Sequence, residues 1–461
     1  MVWSTLKVLR ESPDVMREVL RRRFMDTSLV DGFLELDREW RRVQTELNKL
    51  RHQHNVISSK VASLPPGEKD AAVAEAKELL AKILEMERRL EEVEAGRESL
   101  LDRMPSLLHD SVPIGPDESY NAVVRAWGRA RVQRAHLSDF LAETEGKGVR
   151  MEYEVVDMEF VGHADMLEHV LMLGDTAKAG EVAGSRFYYL FDDLVWLDLA
   201  LLSYAIDYLT GKGFRLVLPP YMLRGKYMGA VEELAAFKDA LYKVEGEDLY
   251  LIATAEHPLA ALHAGEAIPE EDLPKLYVGV SPCFRKEAGA ASRDIKGIFR
   301  VHQFHKVEQF AYAMPEQSWG VFDLLISNAE ELYRGLEIPY RVVNIASGEL
   351  NLRAAMKYDL EAWYPAQGKF RELVSCSNVL DWQAYRLNVK YLRRKGMVKD
   401  YLHMLNSTAI ASTRTITTIL ENHQNDDGTV TIPKALRKYL EAFSKAPKDY
   451  IHPVQKRTPP S

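Results

Sequence analysis

Arginines and carboxylates gather in three separated clusters of this sequence. The first is Lys212-Gly-Phe-Arg-Leu-Val-Leu-Pro-Pro220. The second is Cys283-Phe-Arg-Lys-Glu-Ala-Gly289, followed by Phe299-Arg-Val-His-Gln-Phe-His-Lys-Val-Glu308. The third is Glu372-Leu-Val-Ser-Cys-Ser-Asn378, completed by Asn406-Ser-Thr-Ala-Ile-Ala-Ser-Thr-Arg414. Guanidinium groups supply planar, permanently charged forks for phosphates and carboxylates, so arginines drawn from distant stretches point to an anionic substrate. The usual phosphate and zinc signatures are missing: the sequence has no GxxxxGK[ST] loop, no GxGxxG after a strand and no HExxH helix. Taken singly, an arginine or glutamate in a strand is most often half of an ion pair, and a phenylalanine is most often core. His257, His302 and His305 lie beside the clusters and read as structural hydrogen-bonding groups.

The elements that must position these residues fall into an arm and a body. From Phe33 the apolar positions Phe33, Leu36, Trp40, Val43, Leu47, Leu50, Ile57, Val61 and Leu64 alternate steps of three and four, a heptad seam interrupted by His54. Pro65, Pro66 and Gly67 stop it, and the spacing resumes at Ala76, Leu79, Ile83, Met86, Leu90, Val93, Leu100 and Met104, interrupted by Arg97. Two such helices joined by a short turn predict an antiparallel coiled-coil hairpin, and about 34 residues at ~1.5 Å each give an arm near 50 Å long. His54 and Arg97 either lie near its exposed end or set its register. The hairpin is a dimerisation or spacing device, or else a feeler for a polyanion, since Arg38, Arg41, Arg42, Lys49, Arg51 and Lys60 lie off the seam.

After Pro113-Ile-Gly-Pro116 short mixed segments begin. Helix-like stretches at 197–209, 321–336 and 414–421 alternate with strand-like ones at 215–218, 249–252, 275–280 and 299–310, which predicts a mixed α+β body rather than a βαβ alternation. The tail from Lys445, rich in proline, reads as extended.

The 461 residues suffice for two domains with a substantial core, here expected as 1–112 and 113–461. With 60 Lys plus Arg against 68 Asp plus Glu, the net charge of −8 excludes a uniformly basic nucleic-acid sleeve but permits a local basic track. Two cysteines, Cys283 and Cys376, exclude a disulfide framework and suit reduced thiols in a cytoplasmic protein. The N-terminus lacks a signal peptide, and the most apolar stretch, 194–209, carries Asp198 and Asp207, so it reads as a core helix.

In order and spacing, the hairpin, Pro220, Thr254-Ala-Glu256, the FRKEAG and FRVHQFHKVE segments, SCSN and NSTAIASTRT together resemble the class II aminoacyl-tRNA synthetases, and among them the seryl-tRNA synthetases of the common zinc-free type. The form NSTAIASTR is similar to the archaeal and eukaryotic branch. The resemblance implies an antiparallel sheet of six to eight strands flanked by helices. It also implies ATP-dependent activation of serine to seryl-adenylate, with transfer to tRNA(Ser) and possible use of tRNA(Sec).

By motif position the resemblance assigns Arg285, Arg300 and Arg414 to catalysis. Arg285 bridges the α-phosphate and the serine carboxylate, while Arg300 and Arg414 hold the remaining phosphates. It assigns Thr254, Ala255, Glu256, Arg285, Glu308, Asn406 and Thr408 to serine. To ATP it assigns Arg285, Lys286, Glu287, Val301, Phe304, Glu372, Leu373, Val374, Ser375 and Arg414, with adenine between Phe304 and Arg414. Glu372 and Ser375 would carry Mg²⁺, since hard oxygen ligands with phosphates suit that ion. Zinc through Cys283 and Cys376, used by a rare form of the enzyme, is not expected.

The resemblance further implies that the arm binds tRNA through Arg38, Arg41, Arg42, Lys49 and Arg51, that Arg293 and Lys296 meet the acceptor end, and that the molecule is a homodimer. Departures from the usual text are Val379 after SCSN, Tyr385, and His257 after Thr-Ala-Glu. Two rival functions are a carrier-protein aminoacylating relative and an inactive RNA-binding paralogue. The arm counts against the first, and intact Arg285, Glu308, Glu372 and Arg414 count against the second.

Overall fold

The computed structural model describes residues 4–233, 239–287, 294, 296–393 and 398–454. Contacts divide the chain into Thr5–Pro105 and a larger unit made mainly of Ser106–Ser461. The division falls before the expected 112/113 boundary because the Ser106 and His109 amides donate to the Leu352 and Ala355 carbonyls, at 2.6 and 3.1 Å.

The smaller unit is helical throughout: α1 (Thr5–Glu11), α2 (Pro13–Arg22), α3 (Ser28–Val61) and α4 (Pro66–Asp102). The long pair forms the predicted hairpin, but α4 starts ten residues before the seam resumes at Ala76, because a proline at the first helical position costs no hydrogen bond. Phe33, Val43 and Leu47 of α3 and Ile83, Val93 and Leu101 of α4 are buried, whereas no residue between Leu47 and Ile83 is.

Arg97 answers the register question. It bonds the fully buried Asp37 at 2.8 Å, and Arg10 grips the same carboxylate with two bonds of 2.8 and 2.9 Å. The Arg97 guanidinium also lies 5.3 Å from the ring centroids of both Phe33 and Trp40.

The larger unit centres on eight strands: β1 (Ala122–Trp127), β2 (Arg215–Val217), β3 (Lys275–Phe284), β4 (Gln303–Ala313), β5 (Tyr340–Asn344), β6 (Met356–Tyr364), β7 (Lys369–Leu380) and β8 (His403–Ala411). Their order in the sheet is β1-β5-β6-β7-β8-β4-β3-β2, antiparallel except for the β2–β3 pair. Three helices, α5 (Asp193–Gly211), α6 (Ser318–Gly335) and α7 (Ser412–Asn422), contribute apolar residues to the main core beside this sheet. By length and composition α5 could cross a membrane, yet Leu194, Leu197 and Leu201 lie in that core and Asp198 bonds His305 at 2.9 Å. Strand β4 starts at Gln303 rather than 299, leaving 299–302 irregular.

The Asp37 carboxyl is desolvated by burial, but Arg10 and Arg97 hold it below the usual aspartate range. Its stabilisation is therefore fully present above the unfolded pKa of about 3.9 and is lost as pH falls through the depressed folded value. Asp37→Ala takes from the sheltered Arg97 guanidinium, 12% exposed, its carboxylate partner and should cost ~3 kcal/mol. Amide exchange near the base of α3 and α4 should quicken by roughly 100-fold at neutral pH; unchanged protection there would refute the role of this cluster.

Candidate active site

One cleft of about 420 Å³ in the larger unit collects the clusters read from the sequence. Side chains alternate between the faces of a strand, so Phe304, Lys306 and Glu308 of β4 share a face and all line the cleft. Asn406 and Thr408 do the same on β8, where Thr408 stands opposite Glu308. On β7, Leu373, Ser375 and Ser377 alternate into the cleft. Glu372 joins them because the β6–β7 register slips by one residue between Leu360 and Glu361, a bulge that turns two consecutive side chains inward.

The arginines sit at the ends of these strands. Arg285 follows β3, Arg300 lies in the irregular stretch before β4, and Arg414 is the third residue of α7. Each has an anchor. Arg285 Nε donates to the Ala253 carbonyl at 3.3 Å, and its guanidinium lies 5.2 Å from the Phe304 centroid. Arg300 Nε donates to Glu287 at 2.5 Å. Arg414 donates to the Glu372 carbonyl at 3.0 Å and faces that residue's carboxylate at 3.2 Å. Arg414 covers Phe299, centroid distance 4.9 Å, rather than Phe304. Of the histidines beside the clusters, His302 bonds the Arg285 carbonyl at 2.7 Å, while His257 faces Glu232 at 3.4 Å and also lines the cleft.

Burial and charge set the carboxylates apart. Burial would raise the Glu372 carboxyl, but Arg414, Lys357 and Arg285 hold it below the usual range, so it stays ionised. Burial pushes the Glu308 carboxyl above its usual range despite Lys306, whose ammonium stands 2.5 Å away. Glu232 is held low against burial by Arg353 and His257. Asn406 Nδ2 is buried with no hydrogen-bond partner among the described residues. Glu372 and Ser375 offer a cation one ionised carboxylate and one hydroxyl. No group of three or more His, Cys, Asp or Glu side chains among the described residues could hold a metal by itself. This donor set fits Mg²⁺ sharing phosphate oxygens.

Of the residues expected in the site, Thr254, Glu256, Arg285, Glu287, Arg300, Val301, Phe304, Glu308, Glu372, Leu373, Ser375, Asn406, Thr408 and Arg414 line this cleft. Ala255 and Val374 do not: both side chains are buried in apolar core, Val374 on the opposite face of β7 from Leu373 and Ser375, and Ala255 in the turn that opens the helix Glu256–Ala261. Lys286 also lies off the lining, its ammonium 5.6 Å from the Tyr242 ring. The sequence reading missed Glu232, Phe299, Lys306, Asn351, Arg353 and Lys357. Strand parity with Phe304 and Glu308 could have found Lys306. Nothing local marked Arg353, which reaches the cleft from the loop between β5 and β6.

On the helical unit Arg38, Arg41, Arg42 and Lys49 surround one shallow surface hollow with Thr45 and Glu46. Arg51 instead bonds Glu87 across the hairpin at 2.7 Å. Lys296 is exposed, and Arg293 lies outside the described residues.

Residues 5–108 match the family model described as the seryl-tRNA synthetase N-terminal domain, and residues 241–423 match the tRNA synthetase class II core domain (G, H, P, S and T). The chain is 64% identical to a serine–tRNA ligase of Desulfurococcus amylolyticus over 99% of each chain. Among solved structures it resembles seryl-tRNA synthetase from Pyrococcus horikoshii complexed with ATP, with TM-score 0.88 and 50% identity over 98% of this chain and 100% of that one. It also resembles the cytoplasmic serine–tRNA ligase of Naegleria fowleri in complex with AMP, with TM-score 0.79 and 38% identity over 98% and 99%.

Cys283 and Cys376, on β3 and β7, are fully buried, and burial raises both thiols above their usual range. A thiol reagent at neutral pH should label neither cysteine in the native protein and both in denaturant; rapid native labelling of either would contradict this placement.

Proposed function

This chain belongs to the seryl-tRNA synthetase family, and from that premise we propose how its cleft activates L-serine with ATP and passes it to tRNA. The observation that carries the reading is the convergence of Arg285, Arg300 and Arg414 on one cleft with the acidic niche of Glu256 and Glu308. Attack of the serine carboxylate on the α-phosphorus brings two anions together, and guanidinium groups offset that repulsion. Arg285, anchored on the Ala253 carbonyl beside Thr254, bridges carboxylate and α-phosphate. Arg300 and Arg414 hold the outer phosphates and the departing pyrophosphate. Phe304, Glu287 and Val301 border the adenine; Arg414, expected over its other face, stands over Phe299 in the same cleft.

Glu372 and Ser375 would hold Mg²⁺, which neutralises phosphate charge when bound. The cleft's own groups bind and orient, and none has to serve as a nucleophile. Thr254, Glu256, Glu308, Asn406 and Thr408 receive the ammonium and hydroxyl of serine. The unpartnered Asn406 Nδ2 supports a polar ligand there. Alanine would leave such buried groups unpaired, and threonine adds a methyl to a small niche.

The basic face of α3 binds the tRNA backbone, and the exposed Lys296 meets its acceptor end. The enzyme works as a homodimer in the cytoplasm, with tRNA(Sec) as a possible second substrate of the same niche.

Serine-dependent ATP–pyrophosphate exchange, repeated with alanine, glycine and threonine and followed by charging of tRNA(Ser), tests the reading. Exchange with serine alone is expected, and its absence would sink the proposal. Arg285→Ala should lower exchange by at least about 100-fold. The triple change of Arg38, Arg41 and Arg42 to Ala should leave exchange within about twofold. It should also weaken charging severalfold and flatten its salt dependence; equal loss in both assays would remove the arm's role.

A further inference from the structure

Beneath the amino-acid niche, three carboxylates lie among few cations. Glu256 opens the helix Glu256–Ala261, Glu232 follows the helix Gly225–Val231, and Glu308 is on β4. Arg353 joins the first two: one guanidinium nitrogen is 2.5 Å from Glu256 Oε1, and the other is 3.2 Å from Glu232. Gln383 Nε2 donates to the same Glu256 Oε1 at 2.9 Å and to the Val231 carbonyl at 3.0 Å, a carbonyl that Arg353 also reaches at 3.3 Å. Thus Oε1 of Glu256 accepts two hydrogen bonds, one from Arg353 and one from Gln383, and among the described residues the bonds given to this carboxylate fall on that oxygen. The Arg353 side chain lines the cleft and is only 14% exposed.

We infer that Arg353 is a positioning residue for serine: with Gln383 it clamps one oxygen of Glu256, presents the other to the ammonium of the amino acid, and ties Glu232 to Glu256 through one guanidinium. This rests on the serine reading above. The geometry supports it: one guanidinium reaches both Glu256 and Glu232, and Lys306 pairs separately with Glu308. The other ionisable groups around the pair are His257 on the Glu232 side, Glu233 and Arg386 near it, and Arg285 near Glu308. None of them bridges the two carboxylates as Arg353 does.

Without the clamp, two neighbouring carboxylates would share a proton and serine would meet a partly neutral floor. The test is serine-dependent exchange by the full chain between about pH 6 and 8.5. Wild type should show a nearly flat serine KM. Arg353→Met should raise serine KM about tenfold at the acid end, declining as pH rises through the raised carboxyl pKa, with kcat and the KM for ATP within about twofold. Adding Glu232→Gln removes the like charge and should restore a flat profile. Arg353→Lys keeps the charge but loses the fork and should raise serine KM about threefold, a comparison that stands even if the Met variant does not fold.

An unchanged serine KM in the Arg353 variants would overturn the inference. So would a pH-independent loss shared by kcat and both KM values, or failure of Glu232→Gln to restore the profile. Absence of serine-dependent exchange in the wild type would instead overturn the serine reading itself, and the clamp with it.

Discussion

Charge balance inside a confined cleft is the constraint on which the body of this molecule depends. Ionised groups out of water are tolerated only when paired, and in this cleft nearly every charge has a fixed opposite: Arg300 with Glu287, Arg414 with Glu372, Lys306 with Glu308, Arg353 with Glu256 and Glu232. A site arranged this way is organised before any anion enters it. Under the proposed assignment, incoming phosphates would meet guanidinium groups already anchored by one contact, which leaves little reorganisation for the moment of reaction.

The sheet supplies the precision that this balance needs. Strands buried on both faces cannot slide without moving every side chain across the sheet, so Phe304, Lys306 and Glu308 hold a fixed spacing. The register slip opposite Glu361 is equally specific. It lets Glu372 and Leu373 both reach the cleft, so that one short segment contributes a carboxylate and, three residues later, the Ser375 hydroxyl.

How much of this was readable in the chain follows from where each signal resides. The hairpin was legible because heptads write their partner face into the sequence, and only the start of α4 moved, where proline serves as a first helical residue. The cleft was legible where motifs fall on strands, since parity then fixes the facing residues. The same rule explains one error, since Val374 sits within a motif segment yet faces the core side of β7; Ala255 sits in a turn before a helix, where strand parity does not apply, and its side chain also packs in the core. The stretch 299–302 reads as strand by its β-branched and aromatic residues, but Phe299, Arg300 and Val301 all line the cleft, which strand alternation would forbid. Arg353 and Asn351 carried no signal because only the tertiary path of their loop brings them to the niche.

The two kinds of recognition are therefore built on different supports. Of the polar groups proposed to receive serine, Glu308, Asn406 and Thr408 stand on β4 and β8, where neighbouring strands leave them little freedom, and Thr254 and Glu256 stand at the start of a helix. The three arginines stand at strand and helix ends, on backbone with fewer ladder bonds. That division suits the ligands. Discriminating one hydroxyl from a hydrogen demands fixed donors and acceptors, because the selectivity arises from groups left unpaired when the wrong side chain enters. Holding a triphosphate demands charge and reach, and a long side chain on a looser base can follow phosphates from one state of the reaction to the next.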